Sequence, residues 1–212
     1  MKVCELFTSI QGESTYAGTP CTFIRLSGCN LRCSYCDTAY SYEDGTEMTV
    51  AGIIEKVRDA GLNLVEITGG EPLLQFDDVA ELATRLLDSG YRVLIETNGS
   101  VRIDRLDSRA VVILDLKTPA SGMSEMNDLS NLEYIKPNDE IKFVISDRSD
   151  YEWSKRMVLE QGLSKRCIVL FSSAAGSLSA RELAGWIIQD RLDVRLNMQL
   201  HKIIFDPNER GV

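Results

Sequence analysis

From residue 64 onward, short apolar runs alternate with amphipathic segments, and most runs end on glycine or on a group of polar residues. Leu64-Val65-Glu66-Ile67 reads as a strand, and residues 93–95, 111–114, 141–145 and 167–171 read as four more. Asp77 or Asp78 opens a helix with Val79, Leu82, Leu86 and Leu87 on one face, stopped by Gly90. Further helices are expected near 149–161 and 179–190, with a last strand from Val194 to Leu200. Upstream, strands are expected near 2–9 and 21–27, followed by a helix from the Thr49 cap to Ala60, ended by Gly61. Strands alternating with helices pack as parallel β/α units. A closed eight-unit barrel takes about 250 residues, and about six units fit here once the N-terminal segment is set aside. An incomplete, open barrel suits a chain of 212 residues. A doubly wound sheet stays open as the alternative, because strand period does not separate the two.

The chemistry-bearing residues fall in one kind of place. Cys29 to Cys36 follows the second strand, and Thr68-Gly69-Gly70-Glu71-Pro72 follows the next. Glu96-Thr97-Asn98-Gly99, Asp115-Leu116-Lys117 and Ser172-Ser173 each follow one more, and Gln199 and His201 end the last. Ligands of parallel β/α folds bind at the carboxyl ends of the strands. An active site is therefore expected on that rim.

Net charge is −9, with 32 acids against 23 Lys and Arg, and the basic residues are interleaved with acids. A nucleic-acid binder gains affinity from a basic surface, so a small-molecule substrate is the expectation. No apolar run is long enough to span a bilayer, and Glu5 falls where a signal peptide needs an apolar stretch. A cytoplasmic protein is expected, with its six cysteines reduced. Cys4, Cys21 and Cys167 are scattered and read as small core residues.

Cys29, Cys33 and Cys36 spell C-x-x-x-C-x-x-C. Three thiolates this close converge on one soft metal centre. Zinc is the plain alternative, but a structural zinc site wants four ligands, and no fourth Cys or His lies nearby in sequence. A four-iron cluster held by three cysteines keeps one iron open for chemistry.

This spacing, with Tyr35 just before the last cysteine and Thr68-Gly69-Gly70-Glu71-Pro72 downstream, resembles the radical S-adenosylmethionine superfamily. Within it, the chain resembles the 7-carboxy-7-deazaguanine synthase family over nearly its whole length. The resemblance is carried by Phe7 to Ser14, Phe23 to Leu31, Cys36-Asp37-Thr38, Thr68 to Pro72, Ile95 to Ser100 and Asn197 to Lys202. Gln11-Gly12-Glu13 and Cys36-Asp37-Thr38 are its specific parts.

The resemblance implies an incomplete (β/α)6-type barrel with room for reduced helices. It also implies one domain over 1–212, in which 1–28 lead into a cluster loop at 29–38 and 202–212 form a tail. The implied reaction converts 6-carboxy-5,6,7,8-tetrahydropterin to 7-carboxy-7-deazaguanine with loss of ammonia, started by a 5′-deoxyadenosyl radical. The implied cofactors are a [4Fe-4S] cluster on Cys29, Cys33 and Cys36, S-adenosylmethionine, and Mg²⁺ on Thr38. A single protein hydroxyl is an acceptable Mg²⁺ ligand when substrate and water complete the octahedron.

By the same resemblance, Tyr35, Cys36, Asp37, Gly70, Asp115, Leu116, Lys117, Phe171, Ser172, Ser173 and Ala174 contact S-adenosylmethionine. Ile10, Gln11, Gly12, Glu13, Arg25, Thr68, His201 and Pro207 contact the pterin. Glycine in the Gly69-Gly70 pair is expected where backbone approaches a ligand closely. Arg25 stands among Phe23, Ile24 and Leu26 and needs an anion, either a substrate carboxylate or a structural partner. Asn197, Gln199 and His201 alternate with Leu196, Met198 and Leu200, which would turn the polar set toward the substrate. Family members often end soon after the position of Pro207, whereas Asn208 to Val212 continue this chain, which puts the C-terminal contact in question. A flavodoxin or ferredoxin electron donor and a homodimer are the implied partners. A glycyl-radical activase and a zinc-stabilised binding module are the rival readings.

Overall fold

Neighbouring residues of the central strands bury against different partners. In β4 (Leu64–Gly69), Val65 and Ile67 join a large apolar cluster with helix side chains, while Leu64 belongs to a second, smaller cluster. That alternation follows from side chains pointing to opposite faces at successive positions. A computed structural model describes residues 1–206 and 209–211 and shows the same split from the second strand to the sixth.

Nine strands are ordered β3 (Thr46–Glu47), β1 (Lys2–Ile10), β2 (Pro20–Leu26), β4, β5 (Arg92–Thr97), β6 (Val111–Asp115), β7 (Glu140–Ile145), β8 (Ile168–Ser173) and β9 (Arg195–Asn197). β1 runs antiparallel to β2 and β3; from β2 to β9 every pairing is parallel. β3 and β9 are the two edges, so the barrel is open, as expected from chain length. Ile24, Val65, Ile67, Val93, Ile95, Phe143 and Phe171 pack outward beneath the helices. Cys21, Phe23, Leu64, Leu94, Val111 and Ile113 fill the concave side near the amino ends of the strands. This floor pushes any ligand toward the carboxyl ends.

Helices form where the sequence caps them. Thr49 accepts Gly52 N–H (3.1 Å) to start α1 (Val50–Ala60), and Gly61 ends it at φ 70°. α2 (Phe76–Asp88) begins slightly earlier than expected, because a 3₁₀ turn over Pro72–Gln75 leads into it and leaves Asp77 and Asp78 in its first turn. Asp147 caps α3 (Arg148–Glu160), and Ser179 caps α4 (Ala180–Asp190).

Other connections carry no α-helix. Between β6 and β7 lie only 3₁₀ turns at Pro119–Ser121, Ser124–Met126 and Leu129–Tyr134, interrupted by Gly122 and Asn127. β9 is three residues long, not seven. The chain turns after Asn197, Leu200 N–H donates to Gly12 O (2.8 Å), and His201 opens a short helix, α5 (His201–Ile204). Cys21 and Cys167 are buried as expected, while Cys4 on β1 is half-buried. Among the described residues no helix is long and apolar enough to cross a membrane.

Candidate active site

The carboxyl ends of β2 and β4 to β8 surround a cleft of about 730 Å³. The loop after β2 carries Cys29, Cys33, Tyr35, Cys36, Asp37 and Thr38 onto its wall. Gly69 and Gly70 press against that loop's approach. A β-carbon on Gly69 would lie 2.3 Å from Leu26 O, and one on Gly70 would lie 2.3 Å from Gly28 O and 2.7 Å from Cys29 Cβ. The glycines are therefore required by the chain's own backbone as well as by the close ligand approach expected of them. Glu71 N–H then donates to Gly28 O (2.8 Å), fixing the two loops together.

Thr38 sits at the start of a 3₁₀ turn, yet its side chain makes no capping bond. Its hydroxyl lies 3.4 Å from Asp37 Oδ1 and 3.9 Å from Cys36 Sγ, facing the cleft. Asp37 is held by Lys202 (2.6 Å), and that cation keeps its carboxyl below the usual range although burial acts to raise it. Arg25 donates through Nε to Glu5 Oε1 (2.7 Å), which also accepts from Tyr40 OH (2.8 Å). The structural partner expected for Arg25 is thus present, and it occupies only the Nε edge of the guanidinium.

The middle of the cleft is charged. Lys142 Nζ pairs with Glu96, with Glu13 Oε2 (3.1 Å) and with Asp115 Oδ2 (3.6 Å), and Lys117 Nζ pairs with Asp115 Oδ2 (2.8 Å). Burial acts to raise the Glu13 carboxyl, but the Lys142 ammonium and the Gln199 amide outweigh it and hold Glu13 ionised. Asp115 is held low in the same way by Lys117 and Lys142. Glu66 accepts from Gln11 Nε2 but forms no ion pair among the described residues. Burial, then the Glu96 charge, push it well above the carboxylate range against the weaker pull of Lys142. Thr68 Oγ1 donates to Glu96 Oε2 (3.2 Å). Gln199 Nε2 donates to Glu13 Oε1 (2.8 Å), and Asn197 Nδ2 to Glu13 Oε2 (3.1 Å).

The Radical SAM superfamily profile matches residues 23–120, the stretch from β2 through the turn after β6. A 7-carboxy-7-deazaguanine synthase of Koribacter versatilis is 44% identical over 226 aligned positions, covering 100% of both chains. One from Chlorobaculum tepidum is 43% identical, covering 100% of this chain and 97% of that one. The chain belongs to the 7-carboxy-7-deazaguanine synthase family. In fold it resembles the crystal structure of QueE from Escherichia coli, with a TM-score of 0.79, 24% identity and 94% of each chain covered.

Radical SAM membership implies a [4Fe-4S] cluster and S-adenosylmethionine, and the residues present fit both. Three thiols line one wall, but among the described residues no three of His, Cys, Asp and Glu gather closely enough to hold a single ion. Thiolates on one tetrahedral zinc would lie about 3.8 Å apart, whereas a cubane takes each thiolate at a separate iron. Across the cleft, Asp115 Oδ1 is buried with no hydrogen-bond partner, an acceptor suited to a ligand hydroxyl.

Most residues expected of the family's site line this cleft: Ile10, Gln11, Gly12, Glu13, Arg25, Thr68, Gly70, Asp115, Lys117, Ser172, Ser173, Ala174 and His201, besides the cluster loop. Leu116 and Phe171 do not. Both side chains are fully buried in the outer cluster, on the opposite face from Asp115 and Ser172. Gln11 lines the cleft with both ends of its amide engaged, Nε2 on Glu66 and Oε1 on Glu13 N–H (2.9 Å). It braces the loop after β1, and its second amide hydrogen and second carbonyl lone pair remain for the pterin edge. Pro207 lies outside the described residues; Glu209, Arg210 and Gly211 line the cleft, with Arg210 over the Tyr40 ring at 3.9 Å. Glu66 and Lys142 were not singled out by sequence reasoning, and Glu96 only as part of the polar group that ends its strand. The signal for Glu66 and Lys142 was available, since each is a charged residue flanked by apolar neighbours within a strand.

Proposed function

We propose that this chain is a radical S-adenosylmethionine lyase that converts 6-carboxy-5,6,7,8-tetrahydropterin to 7-carboxy-7-deazaguanine with release of ammonia. Full-length identity of 44% to a synthase of that name carries the reading. The cluster and S-adenosylmethionine, when bound, supply the radical that takes hydrogen from the pterin.

The chain's own residues bind and orient. Cys29, Cys33 and Cys36 hold the cluster, and Thr38, whose hydroxyl donates to Asp37 Oδ1 and caps no helix, presents its oxygen lone pairs to Mg²⁺. The Gly70 backbone, Tyr35, Asp37, Asp115, Lys117, Ser172, Ser173 and Ala174 form the S-adenosylmethionine wall. The guanidinium edge of Arg25 left over from Glu5 holds the pterin carboxylate, a planar fork on a planar anion. Ile10, Gly12, Glu13, Thr68 and His201 surround the ring, and Lys142, paired with Glu13 and Glu96, holds Glu13 ionised as an acceptor for ring N–H groups. The barrel floor of Phe23 and Ile113 excludes water from beneath. One domain over 1–212, a homodimer, a flavodoxin-like donor and a cytoplasmic setting complete the reading.

Anaerobic reconstitution with iron and sulfide, followed by the pterin assay with and without Mg²⁺, tests it. Brown protein with about four irons per chain and ring-contracted product are expected, with S-adenosylmethionine turning over. Colourless, iron-free protein would favour the zinc module, and hydrogen abstraction from a protein backbone would favour the activase. Thr38→Ala should raise the Mg²⁺ concentration needed for half-maximal rate by roughly tenfold, the loss of about 1.4 kcal/mol of binding. Unchanged metal dependence would count against direct ligation.

A further inference from the structure

Asn98 lies at the carboxyl end of β5, nearly buried on the cleft wall, in a turn that the proposed chemistry leaves without a role. Its amide is held in one orientation. Oδ1 accepts from Ser100 N–H (3.0 Å) and from Ser100 Oγ (2.6 Å), which turns the NH₂ group the other way. Nδ2 donates one hydrogen to Asn30 Oδ1 (3.2 Å) and approaches Cys29 Sγ at 3.9 Å. The backbone is fixed too, because Asn98 N–H donates to Glu71 Oε2 (2.6 Å), and Glu71 is bound through its own N–H to Gly28 O. The donor and the cysteine are therefore carried by loops joined to one another.

We propose that the Asn98 amide is a hydrogen-bond donor to the Cys29 thiolate and raises the reduction potential of the cluster held there. The proposal rests on the assignment of Cys29 as a cluster ligand. Reduction adds negative charge that spreads onto the thiolate sulfurs, so an N–H donor stabilises the reduced form more than the oxidised form. Leu31 N–H also donates to Cys29 Sγ (3.4 Å), which leaves Asn98 as the side-chain contribution that mutation can remove.

The test is an EPR-monitored redox titration of anaerobically reconstituted full-length protein, comparing wild type with Asn98→Ala and Asn98→Ser. Both variants should load iron as wild type does and titrate at a lower midpoint potential, Asn98→Ala shifting at least as far as Asn98→Ser. Midpoints equal to wild type overturn the proposal. So do variants that keep their far-ultraviolet circular dichroism but hold no cluster, since Asn98 would then serve assembly and not potential. If wild type itself binds no cluster, the assignment of Cys29 fails first, and the proposal falls with it.

Discussion

A β-carbon on Gly12 would lie 2.1 Å from His201 Nδ1, so the imidazole fills the space that a side chain there would take. Burial, the largest influence on His201, lowers its pKa from the ordinary 6.5 and leaves a neutral ring against the cleft. Gly12→Ala should displace the ring while leaving the sheet intact, because Gly12 follows β1 and lies outside its ladder. The expected result is a KM for the pterin raised roughly tenfold, about 1.4 kcal/mol, with an unchanged melting temperature. Steady-state kinetics on the reconstituted variant checks this, and wild-type KM would show that His201 has no part in binding. The cysteines were readable because their meaning lies in short spacing, whereas Thr38 stood out only through the family resemblance. The bond of Gln11 to Glu66 was not readable, because the two are 55 positions apart and only the fold brings them together. Phe171 and Leu116 were readable in principle, since alternation turns each away from the neighbour that faces the cleft.

Between elements, Glu71 joins the turn after β4 to the end of β5. Its fully buried carboxylate accepts from Leu73 N–H (2.8 Å), Thr97 Oγ1 (2.8 Å) and Asn98 N–H (2.6 Å). Glu71→Gln keeps the shape but sets an amide donor against this ring of donors, which should cost about 1–3 kcal/mol. Burial pushes the Glu71 carboxyl up to about 7 in spite of those donors. A folded-state value above the unfolded one means that the native protein holds the extra proton between the two. The Glu71 contribution to stability is then full below about 4.5 and falls as pH rises to about 7. The deficit of Glu71→Gln relative to wild type should accordingly narrow over that interval, as measured by urea midpoints at pH 5 and 7.5. A deficit that widens would show that the donors, not burial, set its ionisation. Elements were legible wherever caps and period agreed, as from Thr49 to Gly61. They were not legible where a connection omits its α-helix, as between β6 and β7. The last strand read too long because alternation continues past Asn197, where the backbone has already turned to meet Gly12.

Across the whole molecule, Lys142 gathers the barrel around one charge. From β7 it reaches Glu13 after β1, Glu96 on β5 and Asp115 on β6, which are 129, 46 and 27 positions away in sequence. Chain length and β/α alternation indicated an open barrel, but no local pattern shows that one lysine ties its strands together. Burial alone would lower the Lys142 pKa, yet the carboxylates of Glu13, Glu96 and Asp115 raise it well above the ordinary value. In return, Glu13 and Asp115 are held below theirs, so their contribution is present above the unfolded values and is lost as pH falls through the folded ones. Lys142→Met strands these acids in a buried site, at a cost of about 3–5 kcal/mol at neutral pH. With no Lys142 cation beside Glu13, burial should raise its folded value above the unfolded one, and the sign of its contribution reverses. The variant should then lose most stability relative to wild type near pH 7.5 and regain part of that loss toward pH 5 as Glu13 takes up a proton, beyond the rise that Glu66 and Glu71 give both proteins. Anaerobic urea unfolding of both proteins at the two pH values checks it, and a difference that stays constant would mean that the acids do not depend on Lys142 for their charge.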